Sequence, residues 1–96
     1  MNRSARTELV HAIHSLHPGD PYFIEERVAR WRGRFWRAVK DVAPGQTWWE
    51  LCYFYSHDGA CWAYLPASRS DHSAWGWGYT ATQAYLNSIL LHCSTS

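Results

Sequence analysis

Six histidines, three cysteines and eight acids are the residues of this 96-residue chain best suited to chemistry, and their spacing suits it poorly. His11, His14 and His17 recur every third residue, so neighbouring pairs on a helix could share a metal. No acid or cysteine completes a ligand set there, and a solvated polar face is the simpler account. His57-Asp58 with Cys61 has the make-up of an acid–base or ligand cluster, yet Asp58-Gly59 already has a turn to form. Asp71-His72 falls in a polar loop and His92-Cys93 at the end of the last predicted helix. Gly76-Trp77-Gly78 precedes a helix but lacks the third glycine and the lysine of a phosphate loop. These patterns predict no catalytic residue, no metal and no cofactor, and therefore no enzyme.

Binding chemistry is better represented. Seven tryptophans accompany eight arginines and a single lysine. Trp, Tyr and Arg dominate binding hot spots, and a domain this small needs fewer than seven indoles for its core. Six of the nine basic residues lie between Arg27 and Lys40, a stretch with no acid. A field polarised in this way fits an acidic or anionic partner.

The elements that position these residues follow from periodicity. Leu9, Ile13 and Leu16 predict a first helix over about 4–17, with His11 and His14 on its solvent side. A second helix is predicted from Asp20 to Val42. Asp20 would be its N-cap, Pro21 its first residue, and Ile24, Val28, Trp31, Phe35, Val39 and Val42 its apolar face. Arg27, Arg30, Arg34 and Arg37 would then form a stripe along one flank, with Arg32 and Trp36 beside it, off the apolar face. Alternation at Arg30, Arg32 and Arg34 suits a strand, but the longer period is preferred. Gly33 is the weak point of that helix.

After Gly45 the period becomes two. Strands are predicted over 47–56, 61–66 and 75–79, and a final helix over 80–93 opened by the capping box Thr80-Ala81-Thr82-Gln83. The whole is a single α+β domain of order α-α-β-β-β-α, with a three-stranded antiparallel sheet packed with helices. A two-residue Asp58-Gly59 turn pairs His57 with Ala60, Tyr55 with Trp62 and Tyr53 with Tyr64. One sheet face then collects Trp49, Leu51, Tyr53, Tyr55, Trp62 and Tyr64, to which Trp75, Trp77 and Tyr79 can be added. The other holds Cys52, Phe54, Cys61, Ala63, Leu65, Gly76 and Gly78. The aromatic face as core is the preferred packing. The alternatives are helices seated on the small face against the two glycines, leaving an aromatic platform, or a layer on each face. The last helix has Leu86, Ile89, Leu90 and Cys93 on one side and Ala84 and Leu91 on the other, which leaves room for a homodimer through it.

No apolar run reaches the roughly 18 residues of a membrane span, and no signal-peptide core follows Met1. The odd number of cysteines without CxxC spacing reads as reduced, core-type thiols in a cytoplasmic protein.

The segments Trp48-Trp49-Glu50-Leu51, Trp62-Ala63 and Gly76-Trp77-Gly78-Tyr79-Thr80 running into Ala84-Tyr85-Leu86 resemble small tailed-phage αβ-sandwich proteins. The resemblance covers the C-terminal half and implies a helix-flanked sheet. Phage proteins of this size without a catalytic motif include anti-CRISPR proteins, and the resemblance implies inhibition of a host complex rather than any particular site. The expectation is thus a non-enzymatic phage-type inhibitor that binds a host protein or ribonucleoprotein complex. Its Arg/Trp surface would comprise Arg27, Arg30, Arg32, Arg34, Trp36 and Arg37. The alternatives are a small RNA- or single-stranded-nucleic-acid-binding module, whose arginines would track phosphates, and a structural or oligomeric accessory subunit.

Overall fold

The computed structural model describes residues 2–30, 33–40, 48–56, 59–66 and 75–94, with side chains placed at 5–28, 30, 33–40, 48–54, 61–66 and 75–90. In chain order these form α1 (Asn2–Leu16), β1 (Tyr22–Ala29), β2 (Gly33–Lys40), β3 (Glu50–Ser56), β4 (Gly59–Leu65), β5 (Gly76–Gly78) and α2 (Ala81–Ser94). The strands make one five-stranded antiparallel sheet in the order β1-β2-β3-β4-β5. The architecture is α-β-β-β-β-β-α, which corrects the expected α-α-β-β-β-α order and three-stranded sheet.

The correction has one source. The stretch expected as a helix from Asp20 to Val42 is a β-hairpin, with Tyr22 facing Lys40 and Ala29 facing Gly33. Aromatic and β-branched residues fill both halves (Tyr22, Phe23, Ile24, Val28; Phe35, Trp36, Val39), which favours a pleated, half-buried surface over a helix. Gly33, a liability mid-helix, has φ +76° where the returning strand begins, a backbone region open to glycine. The hairpin also gives β3 a partner along an edge that would otherwise lack one, since Phe35–Val39 pair with Glu50–Phe54. Asp20 caps no helix. Its carboxylate accepts a hydrogen bond from Trp49 Nε1 at 2.9 Å and lies 3.8 Å from Lys40 Nζ.

Both helices lie on one face of the sheet. Their small and aliphatic residues (Ala5, Leu9, Ile13, Ala84) meet Ala38, Trp49, Leu51, Tyr53, Trp62 and Tyr64 in the main core. The aromatic face is therefore the buried one. Tyr22, Ile24 and Trp36 extend it along the hairpin. The β3–β4 register joins Ser56 to Gly59 and Tyr53 to Trp62, two residues away from the expected pairing. A slip of two preserves every side chain's face, so the expected β3–β4 face contents stand. The turn at 57–58 lies outside the described residues.

β5 is the exception. Trp62 faces Gly78 and Tyr64 faces Gly76, so the glycines point toward the helices and Trp77 points away. Neither Trp77 nor Trp75, which packs against the cluster on the other face, joins the aromatic core as expected. The reason is steric: a Cβ on Gly76 would stand 2.2 Å from the Ala84 carbonyl oxygen and 2.3 Å from the Ser88 nitrogen. α2 rests directly on backbone, and only glycine fits beneath it. Its small side is buried (Ala84 and Ser88), while Leu86, Ile89 and Leu90 face outward. Thr80 Oγ1 accepts the Gln83 backbone N–H at 3.0 Å, as the capping sequence predicts. The Gln83 side chain instead donates to Asn87 Oδ1.

On the face turned away from the helices, Cys52, Phe54 and Ala63 form a second, smaller cluster with Phe35, Cys61 and Trp75 packed against it. Phe54 stacks between Phe35 at 4.6 Å and Trp77 at 5.7 Å.

Candidate functional site

Strand geometry decides where the expected Arg/Trp surface goes. On a helix, residues three and four apart share a flank; on a strand only even spacings share a face. Arg27 and Arg37 therefore stand on the face away from the helices, whereas Arg34 and Trp36 stand on the helix-covered face. Trp36 is half-buried against the main core and is not the exposed anchor expected beside the arginines. Arg30 lies exposed in the turn after β1. Arg32, like Trp31, lies outside the described residues. No helix flank carries these side chains together.

Each described strand arginine has a carboxylate. Arg27 Nη1 is 3.2 Å from Glu25 Oε1 and Arg34 Nη1 is 3.3 Å from Glu26 Oε1. Arg37 is the most engaged: Nη1 lies 2.7 Å from Glu50 Oε1, and Nε lies 2.6 Å from Glu25 Oε1. The Nε–H is poorly aligned with that oxygen, so the Glu25 contact is a close charge pair rather than a formed hydrogen bond. Glu50 is buried, and burial raises its pKa although Arg37 pulls the other way. Cys52 donates to Glu50 Oε1 at 3.7 Å. Burial pushes the Cys52 thiol well above its usual range, and the Glu50 charge adds to the effect, which makes it a poor nucleophile.

The strand pairing brings three arginines to the outer end of the β1–β2 hairpin. The ladder to β3 starts at Phe35, so Arg34, Gly33 and the facing Val28 and Ala29 lie beyond it. Arg34 shares the helix-covered face there with Val28, itself 73% exposed, Arg27 is exposed on the opposite face, and Arg30 is exposed in the turn. Sequence reasoning chose most of these residues for the wrong geometry. The signal that could have found them properly was Gly33, a residue suited to a positive φ between two segments rich in aromatic and β-branched residues.

The three early histidines part company. His11 is exposed at the rim of an open cleft of about 520 Å³ between α1 and the start of α2, with Glu8, Tyr53, Trp62 and Tyr79 among its walls. His14 Nε2 meets the Tyr22 hydroxyl at 3.3 Å. His17 turns inward, which sequence reasoning missed: its ring stacks on Trp49 at 4.6 Å, 6° from parallel. Its Nε2 lies 2.6 Å from the Tyr64 hydroxyl, and its Nδ1 lies 3.8 Å from Asp20 Oδ2. Burial lowers the His17 pKa against the opposing pull of Asp20. Tyr64 is raised by burial, so its phenol is not activated. Asp20, His17 and Tyr64 thus form a packed polar junction rather than a proton relay open to a substrate. Among the described residues, no group of three His, Cys, Asp or Glu side chains is placed to hold a metal. The candidates at 57–58 and 71–72, and the side chains of His92 and Cys93, lie outside the described residues.

No protein-family model, curated protein or solved structure matches the chain. Among the described residues, no helix is long and apolar enough to cross a membrane.

Proposed function

We propose that this is a non-enzymatic binding protein of the anti-CRISPR-like kind, acting in the cytoplasm on a host protein or ribonucleoprotein complex. The outer end of the β1–β2 hairpin is its contact surface. Arg30 and Arg34 set their guanidinium forks on acidic groups of the partner beside the exposed Val28, with Arg27 on the opposite face of the same strand. The observation that carries this reading is the exposure of Arg30 and Arg34 beside an exposed valine at the turn end of an edge hairpin. The internal pairs to Glu25 and Glu26 are solvent-exposed and weak, so a partner carboxylate competes with them at little cost.

Burial of Trp49, Tyr53, Trp62 and Tyr64 takes those aromatics away from any stacked base, which weighs against a single-strand-binding module built on that face. The test is a pull-down from bacterial lysate with the wild-type chain and the Arg30→Ala/Arg34→Ala variant. Circular dichroism would check that the variant keeps its fold. A protein partner held by the wild type and bound at least about tenfold more weakly by the variant is the expected outcome. Binding to labelled RNA or single-stranded DNA that collapses with added salt, without a protein partner, would move the assignment to nucleic acid.

A further inference from the structure

The two edges of the sheet are unlike. β5 is three residues long and lies under α2, whereas β1 is eight residues long and, among the described residues, has no strand on its outer side. Alternate residues of such a strand direct their backbone N–H and C=O groups away from the sheet, a template for another strand. We infer that β1 pairs antiparallel with β1 of a second copy of this chain, about a two-fold axis through Glu26, joining two sheets into one of ten strands.

Symmetry and charge select that register. A two-fold axis normal to the sheet keeps each side chain on its own face, so only registers centred on a residue are allowed. Centring on Glu25 sets Glu25 against Glu25 of the second copy and Ile24 against a glutamate. An axis at Arg27 opposes two arginines and sets Glu26 against Val28. With Glu26 at the centre, Glu25 faces Arg27 of the other copy and Ile24 faces its Val28, and each of these pairs occurs twice. Opposite charges and aliphatic pairs directly across a ladder are the stabilising combinations. The one like-charge meeting, Glu26 with its own copy, is tempered because each Glu26 has Arg34 at 3.3 Å. Val28, 73% exposed in the single chain, gains an aliphatic neighbour. The pairing does not rest on the proposed binding function, but it draws on Arg27 and Val28, which that surface also uses.

Light scattering across a concentration series reads the mass, and single cysteines read the register. At the axis, opposed Cα atoms in an antiparallel ladder lie about 4.5–5.5 Å apart, within disulfide reach. Glu26→Cys is therefore expected to trap a covalent dimer under mild oxidation. Phe23→Cys, displaced six residues (roughly 20 Å) from its own copy, is not. The wild-type chain controls for its own three cysteines. Arg27→Glu, which sets two carboxylates across each pair, is expected to weaken dimerisation about tenfold or more while leaving the circular dichroism spectrum unchanged. A monomer mass at every concentration overturns the inference. So does a dimer that Glu26→Cys fails to trap, or one that Leu90→Gln disperses, which would place the contact on α2. Loss of the lysate partner in Arg30→Ala, which leaves Arg34 in place beside Glu26, with dimer mass retained separates this inference from the proposed function.

Discussion

Arg37 reaches two carboxylates at once, Glu25 on β1 and Glu50 on β3, from the strand between them. This arrangement follows from cross-strand geometry, since Arg37 stands directly opposite Glu25 and diagonally across from Glu50, two residue pairs along the ladder on the same face. Glu50 is the costly member, because burial disfavours its charge, and Arg37, the Cys52 thiol and the charge of Arg27 only partly offset this. Removing one partner of such a pair leaves the other unpaired, whereas removing both does not. Arg37→Met is accordingly expected to lower stability by about 3 kcal/mol, and Arg37→Met with Glu50→Met to lower it less, measured by urea unfolding. In the sequence Arg37 was legible as a charged residue in a basic run, but its partners were not. Glu25 is twelve residues away and Glu50 thirteen, and only the strand register brings them together.

Two elements carry the lesson about reading periodicity. Apolar residues at 24, 28, 35 and 39 fit a helix, and they equally fit two short strands joined at a glycine. Local pattern cannot choose between these, and the choice is made by the free edge of β3, which gains a partner only if the segment is extended. The terminal helices, by contrast, were legible because each keeps a continuous helical period, and α2 adds the Thr80 cap. α1 spans Asn2–Leu16 and α2 spans Ala81–Ser94, within one or two residues of expectation. α2 nevertheless packs by its small side rather than its leucine side, because Gly76 and Gly78 let its backbone settle onto the sheet. Gly76→Ala is expected to cost about 3 kcal/mol or more, since the Cβ meets helix backbone that cannot rotate away. Gly33→Ala, with open space around it and only a positive φ to strain, should cost about 1–2 kcal/mol. Thermal unfolding of the two variants side by side checks the order.

At the scale of the whole molecule, the His17 junction ties the end of α1 to Asp20 before β1, to Trp49 before β3, to Tyr64 on β4 and to Tyr85 on α2. Its pKa is lowered from an ordinary value near 6.5, so the unfolded chain binds the proton more readily than the folded one. Stability is therefore expected to fall as pH drops through and below 6.5 and to recover above it. Glu50 acts in the opposite sense. Its raised pKa favours the folded, protonated form in acid, and that contribution is lost as pH rises through its folded value. Denaturant midpoints at pH 5.5 and 7.5 for the wild type and His17→Gln isolate the imidazole, and the variant should show the flatter dependence. A wild type equally stable at both values, or a variant as steep as the wild type, would remove His17 as the cause. The sequence by itself determined the two terminal helices, the pairing of β3 with β4 and the contents of their two faces, because helical period and strict alternation are local properties. The tertiary structure alone decided that residues 22–29 and 33–40 are strands, that Trp36 belongs to the core while Trp77 does not, and that the arginines divide between two faces. Those outcomes depend on which sheet edge needs a partner and which backbone a helix must rest on, and both are contacts between residues far apart in the chain.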